Sequence, residues 1–199
     1  MLKVGICGTS GAGKGYVCEK FKKYGAVHID TDKVYREIAV PGSACLSEIK
    51  AFFGNEVINK DGTLNRVELS KKVFDSKNPA HLQILNKITH KHINKRVIEL
   101  IEENEKKGKK IVLIDVPLMF ESEFNKMCDV VICVTADYET KIQRIMKRDK
   151  ITREKAEKRL RSQMPDDELR KLSDYEIVND SKRDVTAQVS DLAKKLFKV

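Results

Sequence analysis

The stretch from Lys3 to Gly15 constrains the fold more than any other part of the chain. Val4, Gly5, Ile6 and Cys7 read as a short apolar strand that runs straight into Gly8, Thr9, Ser10, Gly11, Ala12, Gly13 and Lys14. This is the Gly-x-x-x-x-Gly-Lys spacing of a loop that cradles phosphate. Glycines let the backbone turn tightly and aim its N–H groups at phosphate oxygens. The helix that follows, with Val17 and Phe21 on one face, points its positive end at the same place. Lys14 adds a mobile cation for the β- and γ-phosphates. Gly8, Gly11, Ala12, Gly13, Lys14, Gly15 and Tyr16 are therefore the expected nucleotide-binding residues, with a purely structural turn as the alternative. The motif expects Ser or Thr after the lysine as a ligand of Mg²⁺, and Gly15 and then Tyr16 stand there instead.

Gly25 closes the first helix, and a second short strand, residues 26–30, delivers Asp32 just past its end. Strand, helix and strand in this order predict a parallel α/β sheet. Pro41 and Gly42 then break the chain. From Ser43 to about Gly108 the periodicity is helical, with almost no strand signal. Asp61-Gly62 marks a turn, and Asn78-Pro79 reads as a cap and first position of a helix. Ile84, Leu85, Ile88, Ile93, Val97, Leu100 and Ile101 stripe that helix, so a helical insertion into the α/β core is expected. The core resumes with residues 111–115 and 129–134, short unalternating apolar runs of the kind buried on both faces. Asp137 caps a helix expected to turn Ile142 and Ile145 inward and Lys141, Arg144 and Arg148 elsewhere. Thr152 and Asp166 are further cap candidates. Residues 175–178 form a last strand, and Val185, Val189, Leu192, Ala193 and Leu196 line a closing helix.

A chain of 199 residues can bury one good core with a smaller lobe appended. No apolar run approaches a membrane span, and no leader-like stretch precedes the first strand, so a cytoplasmic protein is expected. The five cysteines include no Cys-x-x-Cys pair, which predicts buried reduced thiols and argues against metal binding through them. Of the net charge of +9, much lies in residues 141–171, where 12 Lys/Arg face 6 Asp/Glu. A basic segment near a phosphate loop suits a polyphosphate substrate. It would also suit a nucleic acid backbone, although sparse aromatics there disfavour base stacking, and a solvated helix face is the third reading, which accounts for some of these lysines.

Asp32 sits beyond the carboxyl end of a parallel strand, where ligands of open α/β sheets bind. A carboxylate there can take the proton of an attacking hydroxyl or hold Mg²⁺ through water. Asp30 lies deeper on the same strand, and a turn-forming pair is the plain alternative for both. Asp115 ends four apolar residues, the pattern of an acid that reaches Mg²⁺, or equally of a strand-end cap. Arg144 and Arg148 share a helix face, so one is expected at the phosphates and the other in a surface pair with Asp149 or a neighbour. Arg159 and Gln163 repeat that spacing in the next helix. His90 and His92 face apart on a helix, which argues against zinc and leaves His90 as a surface histidine or a substrate contact.

Several motifs then fall in order. They are Gly8–Lys14, His28 to Asp32, Pro41-Gly42, Asp61 to Arg66, Ile88 to His90, Asp115 to Glu121, Arg144 to Asp149, Arg159 with Gln163, and Asp174 to Asn179. In this arrangement the chain resembles the dephospho-coenzyme A kinases over nearly its whole length. The resemblance implies a P-loop NTPase fold of three α/β/α layers, with a five-stranded parallel sheet, a helical acceptor insertion and a helical lid. On that basis residues 1–33, 110–148 and 174–199 form the nucleotide-binding core. Residues 34–109 form the acceptor domain and 149–173 the lid.

The same resemblance implies ATP and Mg²⁺ as cofactors and transfer of the γ-phosphate to the ribose 3′-hydroxyl of dephospho-coenzyme A. Asp32 matches the proposed general base, with Lys14 and Arg144 as the other catalytic residues. Arg148 and Asn179 are expected beside ATP. Asp32, Arg66, His90, Pro117 and Leu118 are expected on the acceptor side, and Asp32 or Asp115 near the metal through water. The expected partners are small molecules, with no nucleic acid and no membrane, and the oligomeric state is open. Two other readings stay open. One is a nucleoside or nucleotide kinase of the same fold. The other is a catalytically weak binder of nucleotide or coenzyme A that acts as a regulator.

Overall fold

The computed structural model describes residues 1–75, 78–180 and 182–197. Five parallel strands form one sheet: β1 (Leu2–Cys7), β2 (Val27–Asp30), β3 (Ile111–Asp115), β4 (Val130–Thr135) and β5 (Tyr175–Val178). Their order is β2-β3-β1-β4-β5, so the strand that carries the glycine loop lies in the middle. The register sets Ile6 against Asp115, Asp30 against Asp115 and Cys7 against Cys133. The carboxyl ends of four strands therefore meet at one edge, where ligands of such sheets bind. Val112, Leu113, Ile114, Ile132, Cys133 and Val134 are all fully buried, as the unalternating apolar runs require.

Nine α-helices lie among the described residues: α1 (Lys14–Phe21), α2 (Thr31–Ile38), α3 (Ala44–Phe53), α4 (Arg66–Val73), α5 (His81–Lys106), α6 (Tyr138–Asp149), α7 (Arg153–Arg161), α8 (Asp166–Leu172) and α9 (Val185–Phe197). None of them is long and apolar enough to cross a membrane. Asp137 and Thr152 cap α6 and α7 as the sequence predicts, accepting from the N–H groups of Thr140 and Lys155. The start of α5 differs from expectation. Asn78 gives its side-chain amide to Asp75 and its carbonyl closes a turn onto His81, where the helix begins.

The chain divides into two compact units, Met1–Asp30 with Asn104–Val199, and Thr31–Glu103. In the first, Val17, Cys18 and Phe21 of α1 and Val185, Val189 and Ala193 of α9 cover Val4, Ile6, Leu113, Ile132 and Val134 of the sheet. The second is helical around Cys45, Ile49, Phe53, Val57, Leu69 and Val73. Among its described residues the single strand-like contact is the bridge between Ile58 and Leu64, across the Asp61-Gly62 turn. Phe21 is fully buried and packs on Phe197 with ring centroids 5.7 Å apart. Phe21→Ala should therefore lower the unfolding free energy by about 3–5 kcal/mol in a denaturant titration. A loss below about 1 kcal/mol would contradict this packing.

Candidate active site

β1 ends at Cys7 and the chain turns through the glycine loop into α1. Gly11 has φ 81°, and a Cβ there would lie 2.6 Å from the carbonyl oxygen of Lys141. Gly13, φ 92°, precedes the first residue of α1, and a Cβ there would run into Nδ2 of Asn179. Both a left-handed backbone and close approach thus demand glycine. Asn179 is buried at the end of β5. Its Nδ2 donates to the Ala12 carbonyl at 2.8 Å, and its N–H donates to the Thr135 carbonyl at 2.7 Å. Arg144 from α6 donates to the carbonyls of Gly11 (3.2 Å) and Ala12 (3.4 Å) and to Oδ1 of Asn179 (3.4 Å). In a planar trans peptide the N–H points opposite to the C=O. The Ala12 N–H closes a turn onto the Thr9 carbonyl at 3.1 Å, so the held carbonyls fix the loop backbone on both sides of this turn.

Lys14 donates to the Gly8 carbonyl at 3.0 Å and stands 4.0 Å from Oδ1 of Asp115. Asp115 ends β3, with its carboxylate largely buried, and its Oδ2 is 3.5 Å from Nε2 of His28. Behind it lies Cys18 of α1, fully buried, whose thiol is pushed well up by burial and next by the charge of Asp115. Beside the loop opens a cavity of about 560 Å³ lined by Gly13, Tyr16, Arg144, Asn179, Arg183, Asp184 and Val185. Tyr16 is half-exposed there, and Lys20 lies over its ring at 5.0 Å. Arg183 and Asp184 escaped the sequence reading. The hint was the tight turn in which Asp180 accepts from the N–H groups of Lys182 and Arg183.

Two expectations on α6 and α8 require correction. Lys141 is not turned away from the core; it is buried, with Nζ 2.7 Å from Asp166 and 3.2 Å from Oγ1 of Thr9. Asp166 does not cap α8, where Pro165 stands at the cap. Its carboxylate takes Lys141 and the Thr9 hydroxyl (3.0 Å) instead. A buried ammonium needs a carboxylate more than a helix end needs a cap. Gln163 lies past the end of α7, not on it, and its Oε1 accepts from the Ser10 N–H at 2.9 Å. The segment that follows α6 thus grips the phosphate loop at two points. Arg148 stays on the surface and pairs with Asp149 at 2.8 Å, while Arg144 takes the loop. The Arg148 hydrogen bond, with Arg159 behind it, pulls the Asp149 carboxyl down to about 2.

Leu118 is exposed just beyond β3, while its neighbour Met119 is buried beneath Gly5. Pro117, also exposed, precedes it. Within the helical unit, Asp32 stands in the first turn of α2. Arg66 opens α4 with its guanidinium 5.9 Å from the Tyr35 ring. His90 is half-buried on α5, and burial holds its imidazole below the ordinary range.

A central β1 feeding a glycine loop and helix, in a parallel sheet of this order, defines a P-loop kinase fold. The family model for dephospho-CoA kinase matches residues 2–184. A Listeria monocytogenes dephospho-CoA kinase is 35% identical, with 92% of this chain and 90% of that protein covered. A Fusobacterium nucleatum dephospho-CoA kinase is 37% identical, with 98% and 95% covered. The solved dephospho-CoA kinase of Campylobacter jejuni superposes with a TM-score of 0.70 at 27% identity, with 98% of this chain and 97% of that one covered. The chain belongs to the dephospho-CoA kinase family.

Removing one partner of a buried ion pair leaves an uncompensated charge. Lys141→Met should therefore cost about 3–5 kcal/mol in urea unfolding, whereas Arg148→Met on the surface should cost under about 1 kcal/mol. Equal losses would show that the Lys141–Asp166 pair does not anchor the loop.

Proposed function

We propose that this protein transfers the γ-phosphoryl group of ATP to the ribose 3′-hydroxyl of dephospho-coenzyme A, giving coenzyme A and ADP. The observation that carries the reading is the glycine loop, braced by Asn179 and Arg144, in a chain that belongs to this family throughout. Catalysis of this kind is positioning plus charge. The loop amides and Lys14 hold the β- and γ-phosphates, and Arg144 neutralises charge as it builds on the transferred group. The cavity beside Gly13 receives the adenosine of ATP. Asp32 takes the proton of the attacking hydroxyl, with Arg66, His90, Pro117 and Leu118 on the acceptor side. Residues 149–173 serve as the lid over ATP, and the protein works in the cytoplasm. An acceptor panel read by ADP release tests this: dephospho-coenzyme A should be preferred over nucleosides and nucleoside monophosphates. Comparable turnover of a nucleoside monophosphate would reassign the protein to the nucleotide kinases.

The Asp115 carboxylate beside Lys14 fits Mg²⁺, which favours carboxylate and water and keeps several waters when bound. Asp115 or Asp32 would hold it through water, and its charge would offset that of the phosphates. A Cβ at Gly15 would meet nothing within 4 Å, so a hydroxyl can be restored there. Gly15→Ser should lower the Mg²⁺ concentration for half-maximal rate, by at most about 1–3 kcal/mol of binding. An unchanged midpoint would mean that the loop hydroxyl has no part in this metal site. A general base contributes roughly 10²–10⁴-fold. Asp32→Asn should therefore lower kcat by about that factor with little change in KM for ATP. A larger loss of kcat in Asp30→Asn would transfer the role to Asp30.

A further inference from the structure

Three side chains beneath the phosphate loop converge from three elements: Cys18 of α1, His28 of β2 and Asp115 of β3. Their donor atoms all lie within 4.8 Å of one another. Within this group His28 stands out. Its side chain is only 9% exposed, and its buried Nε2 has no hydrogen-bond partner, with Asp115 Oδ2 at 3.5 Å. A buried imidazole nitrogen left without a hydrogen bond is costly unless something else takes it up.

We propose that Cys18, His28 and Asp115 form a binding site for a borderline divalent transition metal ion such as Zn²⁺. Thiolate, imidazole and carboxylate together are the donor set of such ions, with bonds of about 2.0–2.3 Å. The donors therefore close inward by a fraction of their present spacing. Mg²⁺ demands oxygen ligands and does not compete for a sulfur. Three protein ligands leave a fourth position for water, the arrangement of an open zinc site. Binding releases the Cys18 thiol proton to solvent, since the thiolate is the ligand. The bound ion would take the carboxylate that now lies 4.0 Å from Lys14 and add positive charge beside that lysine. Occupancy therefore withdraws from Mg²⁺ the Asp115 carboxylate that the proposed function offers it, and the metal acts as an inhibitor. The site itself does not depend on the kinase reading; only the inhibition does.

Cobalt(II) titration of the full chain tests the site directly, because a thiolate bound to Co²⁺ gives a charge-transfer absorption in the near ultraviolet. Wild type should develop that band and saturate at one equivalent. Cys18→Ala should lose the band, Cys133→Ala should keep it, and His28→Gln should lose saturable binding. Cys18→Ala and His28→Gln should each show one cooperative urea transition like that of wild type, which shows that they fold, and Zn²⁺ inhibition is read against each variant's own Mg²⁺-supported rate. Zn²⁺ should depress turnover of wild type and spare both variants. No thiolate band in wild type, or a band that survives in Cys18→Ala, would overturn the site. A protein without kinase activity that still gives the Cys18-dependent band would overturn the proposed function and leave the metal site standing.

Discussion

The structure depends on how the carbonyls of the phosphate loop are held. A loop that offers its N–H groups to phosphate must send the opposite ends of the same peptides elsewhere, and buried carbonyls need donors. Here the donors are Arg144 and Asn179, which between them take Gly11 and Ala12. Asn179 in turn is fixed by the sheet through Thr135. The carbonyl side of the loop is thus held by the protein itself, a preorganisation of the kind that electrostatic catalysis requires.

The same contacts explain why so basic a segment can follow the core. The lysines and arginines of residues 141–171 do not form one uncompensated patch. Lys141 is buried against Asp166, Arg148 and Arg159 share Asp149, and Arg153 bridges Glu139 and Glu157. The segment keeps its excess of basic residues, but these particular cations are committed to nearby carboxylates, while Arg144 keeps its place at the loop. The chain's positive charge is thus partly spent on fixing α6, α7 and α8 to one another.

Much of this was legible in the sequence because the relevant signals are local. Strands β3 and β4 are unbroken apolar runs, the loop is a fixed spacing of glycines, and Asp137 and Thr152 stand one residue ahead of their helices. The glycine motif and the acid that ends β3 could be read the same way, whereas helix spacing alone did not separate Arg144 from Arg148. What could not be read depends on residues distant in the chain. Lys141 looked like any exposed cation on an amphipathic helix until Thr9 and Asp166 were brought to it. Asp166 looked like a cap for the same reason. The juxtaposition of Cys18, His28 and Asp115 has no spacing signature at all, since each comes from a separate element and the register between β2 and β3 creates it. Cysteine spacing alone could not show that the topology brings these three donors together.

The central claim is that a preorganised phosphate loop serves transfer to one particular hydroxyl. Phosphorus NMR of the product formed from ATP and dephospho-coenzyme A tests it most directly. The account predicts a new phosphomonoester signal coupled to the ribose 3′ proton, with ADP formed in equal amount. ADP formed without that signal, or a phosphate on any other hydroxyl of the acceptor, would contradict it.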